Sequence, residues 1–194
     1  MRNSKNTVMI HKITLAGILT ALVVVLSFIR IPVLSVTTVK LILPVVVIGA
    51  ALSGPILAGW LAFVSEMITF FSGEALMFIE WNAFGTFTTL LVKGVSYAFA
   101  AGFIYKFMAK KHPIGAVFCS AIAAPVVNTT VFLIGCRIFI WPNLIEMAGE
   151  NGVGMGMLLF GMAGMNFIIE LILNVILCPS ILRIIEVATK KKRV

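Results

Sequence analysis

The chain has no aspartate, only two histidines, and three cysteines that show neither a Cys-x-x-Cys nor a Cys/His spacing. A zinc site needs clustered Cys, His or carboxylate ligands, and a Ser/His/Asp triad needs the missing acid. No Gly-x-x-x-x-Gly-Lys-Ser/Thr loop is present to hold the phosphates of ATP. We therefore expect no catalytic residue, no metal site and no cofactor, and we expect Cys119, Cys136 and Cys178 to be buried apolar thiols.

Charge is also scarce. Charged residues make up 11% of the 194 residues and hydrophobic residues 61%, whereas soluble domains have about 45–50% apolar residues. Long uncharged runs cover residues 13–29, 41–65, 114–136 and 151–169, and about 20 apolar residues suffice to cross the hydrocarbon core of a membrane. These features predict an integral membrane protein. No signal-peptide cleavage site follows the first run, so we expect an uncleaved first helix.

The few basic residues cluster at the ends of the apolar runs. The formal net charge is +8, and glutamates occupy the alternate loops. By the positive-inside rule we predict that both termini are cytoplasmic, with a basic N-terminus at 1–11 and a basic tail at 188–194. The tail lacks interleaved aromatic residues, so contact with anionic lipid explains it better than nucleic-acid binding. The basic residues concerned are Arg2, Lys5, Lys12, Lys106, Lys110, Lys111, Arg183, Lys190, Lys191, Lys192 and Arg193.

The turn signals divide the chain, 1–194, into a single all-α domain of six transmembrane helices. Pro32 ends the first helix, and Ser53, Gly54 and Pro55 separate the second from the third. The predicted helices cover about 12–29, 41–52, 55–71, 84–108, 113–139 and 157–187. We expect 30–40 to be an extended outer segment, 73–82 a second outer loop, and 143–156 a Gly-rich loop.

Several strongly polar side chains fall inside the last three predicted helices. Glu170 lies in the otherwise uncharged stretch 151–182, with Asn166 and Asn174 four residues to either side. A lone carboxylate in hydrocarbon costs several kcal/mol, so we expect a partner or a ligand. Counting ~1.5 Å per residue from the helix ends places Lys93 and Asn128 at a similar depth. The predicted substrate-binding residues are Lys93, Tyr97, Asn128, Thr129, Asn166 and Glu170, with Trp81 from the outer loop.

Alternatives stay open for these residues. Lys93 and Glu170 either bind a ligand or form a buried ion pair that fixes helix register, or they pair only while the site is empty. Glu66 in the third helix faces the same cavity, pairs with Lys93, or has a plain structural role. Interface anchoring is the simpler interpretation of Trp81.

The first predicted helix carries small residues on two adjacent rows. Gly17 and Ala21 form one row, and Ala16 and Thr20 form the next. Small residues spaced four apart leave a flat surface that a second helix can approach closely. We predict that this surface docks a partner subunit.

The basic start followed by Lys12-Ile-Thr-Leu-Ala-Gly-Ile-Leu-Thr-Ala-Leu22, the six helices and Asn128-Thr129 in helix 5 resemble the S components of energy-coupling factor (ECF) transporters. The resemblance implies a subunit of the bacterial cytoplasmic membrane that binds a vitamin from outside, in a pocket of helices 4 to 6 and the outer loops. It also implies partners, namely a membrane scaffold and two cytoplasmic ATPases. The family's Ala-xxx-Ala docking motif falls on Gly17 and Ala21 here.

Within that family the chain looks most like the pantothenate-type branch. By their own chemistry, Lys93 would hold an anionic group of the ligand, and Asn128, Asn166 and Glu170 would hold its polar groups. The segments 30–40 and 73–82 would gate the pocket. A second function stays open, a proton-coupled transporter that works alone and uses Glu66 or Glu170 as its protonation site.

Overall fold

The computed structural model describes residues 2–29, 31–34, 37–39 and 41–190. This part of the chain contains eight α-helices, one π-helical turn and one small β-hairpin. The helices are α1 Arg2–Phe28, α2 Ile42–Ser53, α3 Pro55–Phe71, α4 Leu76–Met108, α5 Pro113–Phe139, α6 Trp141–Glu150, α7 Met155–Leu159 and α8 Met165–Lys190, and the π-helical turn is Phe160–Gly164.

The predicted outer segment after α1 is extended. Strands β1 (Ile31–Leu34) and β2 (Thr37–Val39) pair antiparallel, with Ile31 opposite Val39, and β2 contacts α8. The all-α fold class is confirmed for the bundle, and this short hairpin, where β-branched residues favour extended backbone, is the exception to it. Arg30, Ser35, Val36 and Lys40 of the same segment lie outside the described residues.

Local chain chemistry explains the helix ends that sequence predicted well. Gly54 has φ +90°, a conformation that residues with a Cβ rarely adopt, and Pro55 begins α3 at a position where proline fits. Pro113 begins α5 in the same way. The predicted bounds 55–71 and 113–139 are both confirmed.

Two segments predicted as loops contain helix. Residues 76–81 belong to α4, which bends at Asn82 (φ −160°, ψ 93°) before it continues. The Asn82 side-chain oxygen accepts a hydrogen bond from the Gly85 backbone N–H at 2.8 Å, so Asn82 caps the second segment of α4. In the Gly-rich region, α6 forms because Pro142 suits a first turn and Leu144 and Ala148, four residues apart, are both buried.

Three helical stretches are long and apolar enough to cross a membrane. They are Leu76–Met108, Pro113–Phe139 and Met155–Val187, and three shorter apolar helices cover Lys12–Phe28, Ile42–Ser53 and Pro55–Phe71. The chain is thus a helical membrane protein. The six crossings and the cytoplasmic side of the termini stay predictions, and Lys191 to Arg193 of the tail lie outside the described residues.

Helix α2 lies at the centre of the bundle. Every residue from Ile42 to Ala50 is buried, and the helix contacts α1, α3, α4, α5 and α8. This position explains why its sequence is apolar on all sides.

Cys136 and Cys178 are buried as predicted. Cys119 of α5 is exposed, so the prediction that it is buried is wrong.

Helix α4 packs tightly between α3 and α5. A Cβ atom added at Gly102 would lie 2.7 Å from the Pro55 Cα atom of α3, and one added at Gly85 would lie 2.6 Å from the Phe139 Cβ atom of α5. Glycine at such positions lets helix backbones approach closely in a membrane. The close approach brings polar side chains of three helices within reach of one another.

Candidate binding site

A cavity of about 170 Å³ lies inside the helix bundle. Side chains of α4, α5 and α8 line it, as predicted from the sequence. Residues of α2, which were not predicted, and of α3, where the role of Glu66 was left open, line it as well. The volume is well above the ~10–15 Å³ that one water needs, so several waters or a small organic molecule fit. The polar residues on its wall are Ser65, Glu66, Thr69, Glu74, Thr86, Thr89, Lys93, Tyr97, Asn128, Thr129, Asn166 and Glu170.

Lys93 forms an ion pair across the α3–α4 interface. Its Nζ atom lies 3.2 Å from Glu66 Oε2, and the two side chains are only 15% and 6% exposed. The contact is ionic rather than a well-aligned hydrogen bond. Gly94 makes it possible, because a Cβ atom there would lie 2.8 Å from Glu66 Cγ. Of the alternatives left open, an ion pair between Lys93 and Glu170 is therefore not the one found among the described residues. Glu66 both lines the cavity and pairs with Lys93.

Glu170 is held by neutral donors instead. Asn128 of α5 donates its Nδ2 hydrogen to Glu170 Oε2 at 3.2 Å, and Asn166 donates to Oε1 at 3.1 Å from one turn earlier on α8. The residue is 8% exposed. The bond from Asn166 is local, because Asn166 and Glu170 lie four residues apart on one face of α8. The bond from Asn128 joins α5 to α8.

Asn166 retains unused acceptor capacity. Its Oδ1 atom is buried and has no hydrogen-bond partner among the described residues. Asn166 also lines the cavity, two residues after the π-helical turn Phe160–Gly164. The third asparagine of this stripe, Asn174, is 1% exposed but does not line the cavity.

The remaining predicted site residues take different positions. Tyr97 is buried at the cavity wall, and Thr129 lines it beside Asn128. Trp81 does not line the cavity; its ring packs edge-on against Phe78, with ring centroids 6.0 Å apart. Six of the seven predicted residues thus meet around one cavity, and Trp81 supports one of its aromatic walls.

The cavity is polar at one end and aromatic at the other. Along α5, Asn128 lies at the polar end and Phe139 about 16 Å away, at 1.5 Å per residue. Phe78 and Phe132 meet at the aromatic end with ring centroids 5.7 Å apart. The Thr86 hydroxyl donates to the Phe78 carbonyl at 2.8 Å, which ties the two segments of α4 together across the bend at Asn82.

Sequence reasoning missed the serine and three of the four threonines on the cavity wall. Ser65 and Thr69 lie four apart on α3, and Thr86 and Thr89 lie on α4. The i, i+4 spacing of Ser65 and Thr69 on an otherwise apolar helix was a usable signal. Single threonines are common in membrane helices, where they donate to the backbone of their own helix, as Thr69 does to the Ser65 carbonyl. The sequence therefore contained no signal that would have assigned Thr86 and Thr89 to the site.

The small-residue rows of α1 face in two directions. Gly17 and Ala21 are exposed, and a Cβ atom added at Gly17 would have no atom within 4 Å. Ala16 and Thr20 are half-buried, and Thr20 Oγ1 accepts a hydrogen bond from the Trp60 indole of α3 at 3.2 Å. Only the Gly17 and Ala21 row is therefore open to a further helix.

Comparison with known proteins identifies the family. The family described as "ECF transporter, substrate-specific component" matches residues 11–182. No curated protein and no solved structure matches the chain. The match covers nearly all of the described helices, and it agrees with the apolar bundle and its internal cavity. The chain therefore belongs to the family of substrate-specific components of ECF transporters.

Proposed function

We propose that this chain captures a vitamin or a related micronutrient in its internal cavity for ATP-driven uptake by partner subunits. The observation that carries the proposal is the buried polar end of the cavity, formed by Glu66, Lys93, Asn128 and Glu170. Ionisable groups inside a membrane protein are costly and mark ligand or ion pathways. The cavity is smaller than the ~300–1,000 Å³ of pockets for drug-sized ligands, which favours a small, compact ligand.

The polar contacts of the ligand would come from residues on three helices. Tyr97, Asn128, Thr129, Asn166 and Glu170 all line the cavity and supply hydroxyl, amide and carboxylate groups. A pantothenate-like anion held by Lys93 stays a prediction. Such an anion would compete with the Glu66 carboxylate for the Lys93 ammonium group.

Transport would depend on other subunits. The chain has no phosphate-binding loop, so ATP would be hydrolysed by two cytoplasmic ATPases that act through a membrane scaffold subunit. The exposed Gly17 and Ala21 of α1 would dock this scaffold. In this arrangement the chain crosses the bacterial cytoplasmic membrane six times, has both termini inside, and opens its cavity outward beneath 30–40 and 73–82.

A cavity-filling substitution tests the location of the site whatever the ligand is. The small molecule that is released from purified protein on denaturation is identified by mass spectrometry, and its Kd is measured by calorimetry. Ala163 is buried on the cavity wall, so Ala163→Phe should weaken binding at least a hundredfold. Ala83 is exposed on α4 outside the cavity, and Ala83→Phe should leave the Kd unchanged.

Overpacking costs about 1–3 kcal/mol, so the folding of each variant is checked by thermal unfolding in detergent. Thr129→Phe fills the same cavity from α5 and serves as a second blocking variant. Wild-type affinity in a folded Ala163→Phe or Thr129→Phe variant would rule out this cavity as the site. Uptake driven by a pH gradient into liposomes that hold only this chain would contradict the dependence on partner ATPases.

A further inference from the structure

The polar end of the cavity has more negative than positive charge. Besides Glu74, the described wall residues include two carboxylates and one ammonium group. The carboxylates are those of Glu66 and Glu170, and the ammonium group is that of Lys93. Lys93 is already paired with Glu66 at 3.2 Å. The direct polar contacts of Glu170 are instead the neutral amides of Asn128 and Asn166.

Unused hydrogen-bond acceptors lie at this end of the cavity. A carboxylate offers about four lone-pair sites, and the two amide bonds to Glu170 use one site on each oxygen. Asn166 Oδ1, on the same helix face, is buried without a partner among the described residues. Acceptors left unpaired in a buried site are costly, so a ligand that supplies donors there gains binding energy.

We propose that Glu170 and Asn166 receive a positively charged nitrogen of the ligand that carries N–H donors, so that the substrate is an organic cation in place of the pantothenate-like anion predicted from the sequence. This inference rests on the proposed function, since it takes the cavity as the substrate site. Suitable groups are a primary or secondary ammonium, an amidinium, or a protonated amino-heterocycle. Each supplies at least two donors and one positive charge.

The rest of the cavity suits the remainder of such a ligand. Phe132 lies one turn from Asn128 along α5, and Phe78, Phe139 and Met162 continue the apolar wall. A ring or short apolar body attached to the cationic nitrogen would contact these side chains. An anion at Glu170 would meet a like charge, and a quaternary ammonium ion would leave both acceptors without donors.

Four probes of similar size separate charge from donor capacity. They are benzamidine, a cation with N–H donors; phenyltrimethylammonium, a cation without them; benzamide, a neutral donor; and benzoate, an anion. Binding to the washed, full-length chain in detergent is measured by calorimetry. We expect benzamidine to bind at least tenfold more tightly than each of the other three, because hydrogen bonds to charged groups are the strong ones.

The position of the charge is tested by one substitution with a matched control. Glu170→Gln removes the charge and keeps the shape, and it should weaken benzamidine binding about tenfold to a hundredfold. Glu80→Gln makes the same chemical change at an exposed position outside the cavity and should change nothing. The ranking of the probes is measured on the unchanged chain, so it holds even if Glu170→Gln does not fold.

Three outcomes would overturn the inference. The first is benzoate or benzamide binding as tightly as benzamidine, which would leave the cavity as a ligand site of another class. The second is no probe binding at all. The third is a folded Glu170→Gln variant with unchanged affinity for benzamidine. The proposed function is judged separately by the molecule that co-purifies and by its loss in Ala163→Phe, so the two failures are distinguishable.

Discussion

Removal of the Lys93 ammonium group should destabilise the helix bundle strongly, because it leaves the Glu66 carboxylate buried without its partner. The two charged atoms are 3.2 Å apart and both side chains are mostly buried. At an effective dielectric constant of about 20, a pair at this distance attracts by roughly 5 kcal/mol. Breaking a buried pair from one side costs about 3–5 kcal/mol. Both side chains line a cavity large enough for water, so we expect Lys93→Met to be near the lower figure.

The expected loss of about 3 kcal/mol is large enough to measure in detergent. For a domain of 150–250 residues, 1 kcal/mol shifts Tm by about 2–4 °C, so Lys93→Met should lower Tm by roughly 6–12 °C. Replacement of both partners, Lys93→Met with Glu66→Leu, should recover most of this loss because no unpaired charge remains. The measurement is thermal unfolding of the purified chain and its variants.

A second ion pair in the chain provides the control. Arg183 and Glu186 lie 3.5 Å apart on α8 with side chains 77% and 58% exposed, and exposed pairs contribute little to stability. Arg183→Met should therefore leave Tm nearly unchanged. An unchanged Tm in Lys93→Met, or a double variant as unstable as the sum of the two single variants, would refute the argument for a coupled buried pair.

Two further predictions concern α1 and α4. Gly17→Leu or Ala21→Leu should abolish co-purification with the scaffold subunit without changing ligand binding, because Leu disrupts the flat exposed face of α1. Ala83→Leu, on α4, is the control. Assembly that survives both α1 variants would contradict the docking surface. Asn82→Ala should lower the unfolding free energy by about 1 kcal/mol, because it removes the side-chain acceptor for the Gly85 N–H. Asn82→Asp keeps an acceptor and should retain most of that stability, and equal stability of the Ala and Asp variants in thermal unfolding would show that the cap contributes nothing.

Much of the helical layout could be read from local chemistry. Gly54 with Pro55 and the start at Pro113 locate helix ends, because glycine adopts the positive φ that interrupts a helix and proline, which lacks an N–H, fits the first turn of the next one. The helices at 76–81 and 141–150 were missed for the same local reason. Glycines and polar residues around them favour loops on average, whereas the packing of Phe78 against Phe132 of α5 and the burial of Leu144 and Ala148 favour helix through contacts with neighbouring elements.

Composition and periodicity were enough to predict a membrane bundle with an unusual acid on α8, since an uncharged run with one carboxylate is visible in one dimension. The partner of each charge was not visible there. Lys93 contacts Glu66 rather than Glu170 because Gly94 lets α3 approach α4 closely, and Asn128 reaches Glu170 because α5 packs beside α8. Depth along a helix follows from counting residues, but the rotation and spacing of packed helices depend on side chains that are distant in the chain, and these decide which groups meet in the cavity.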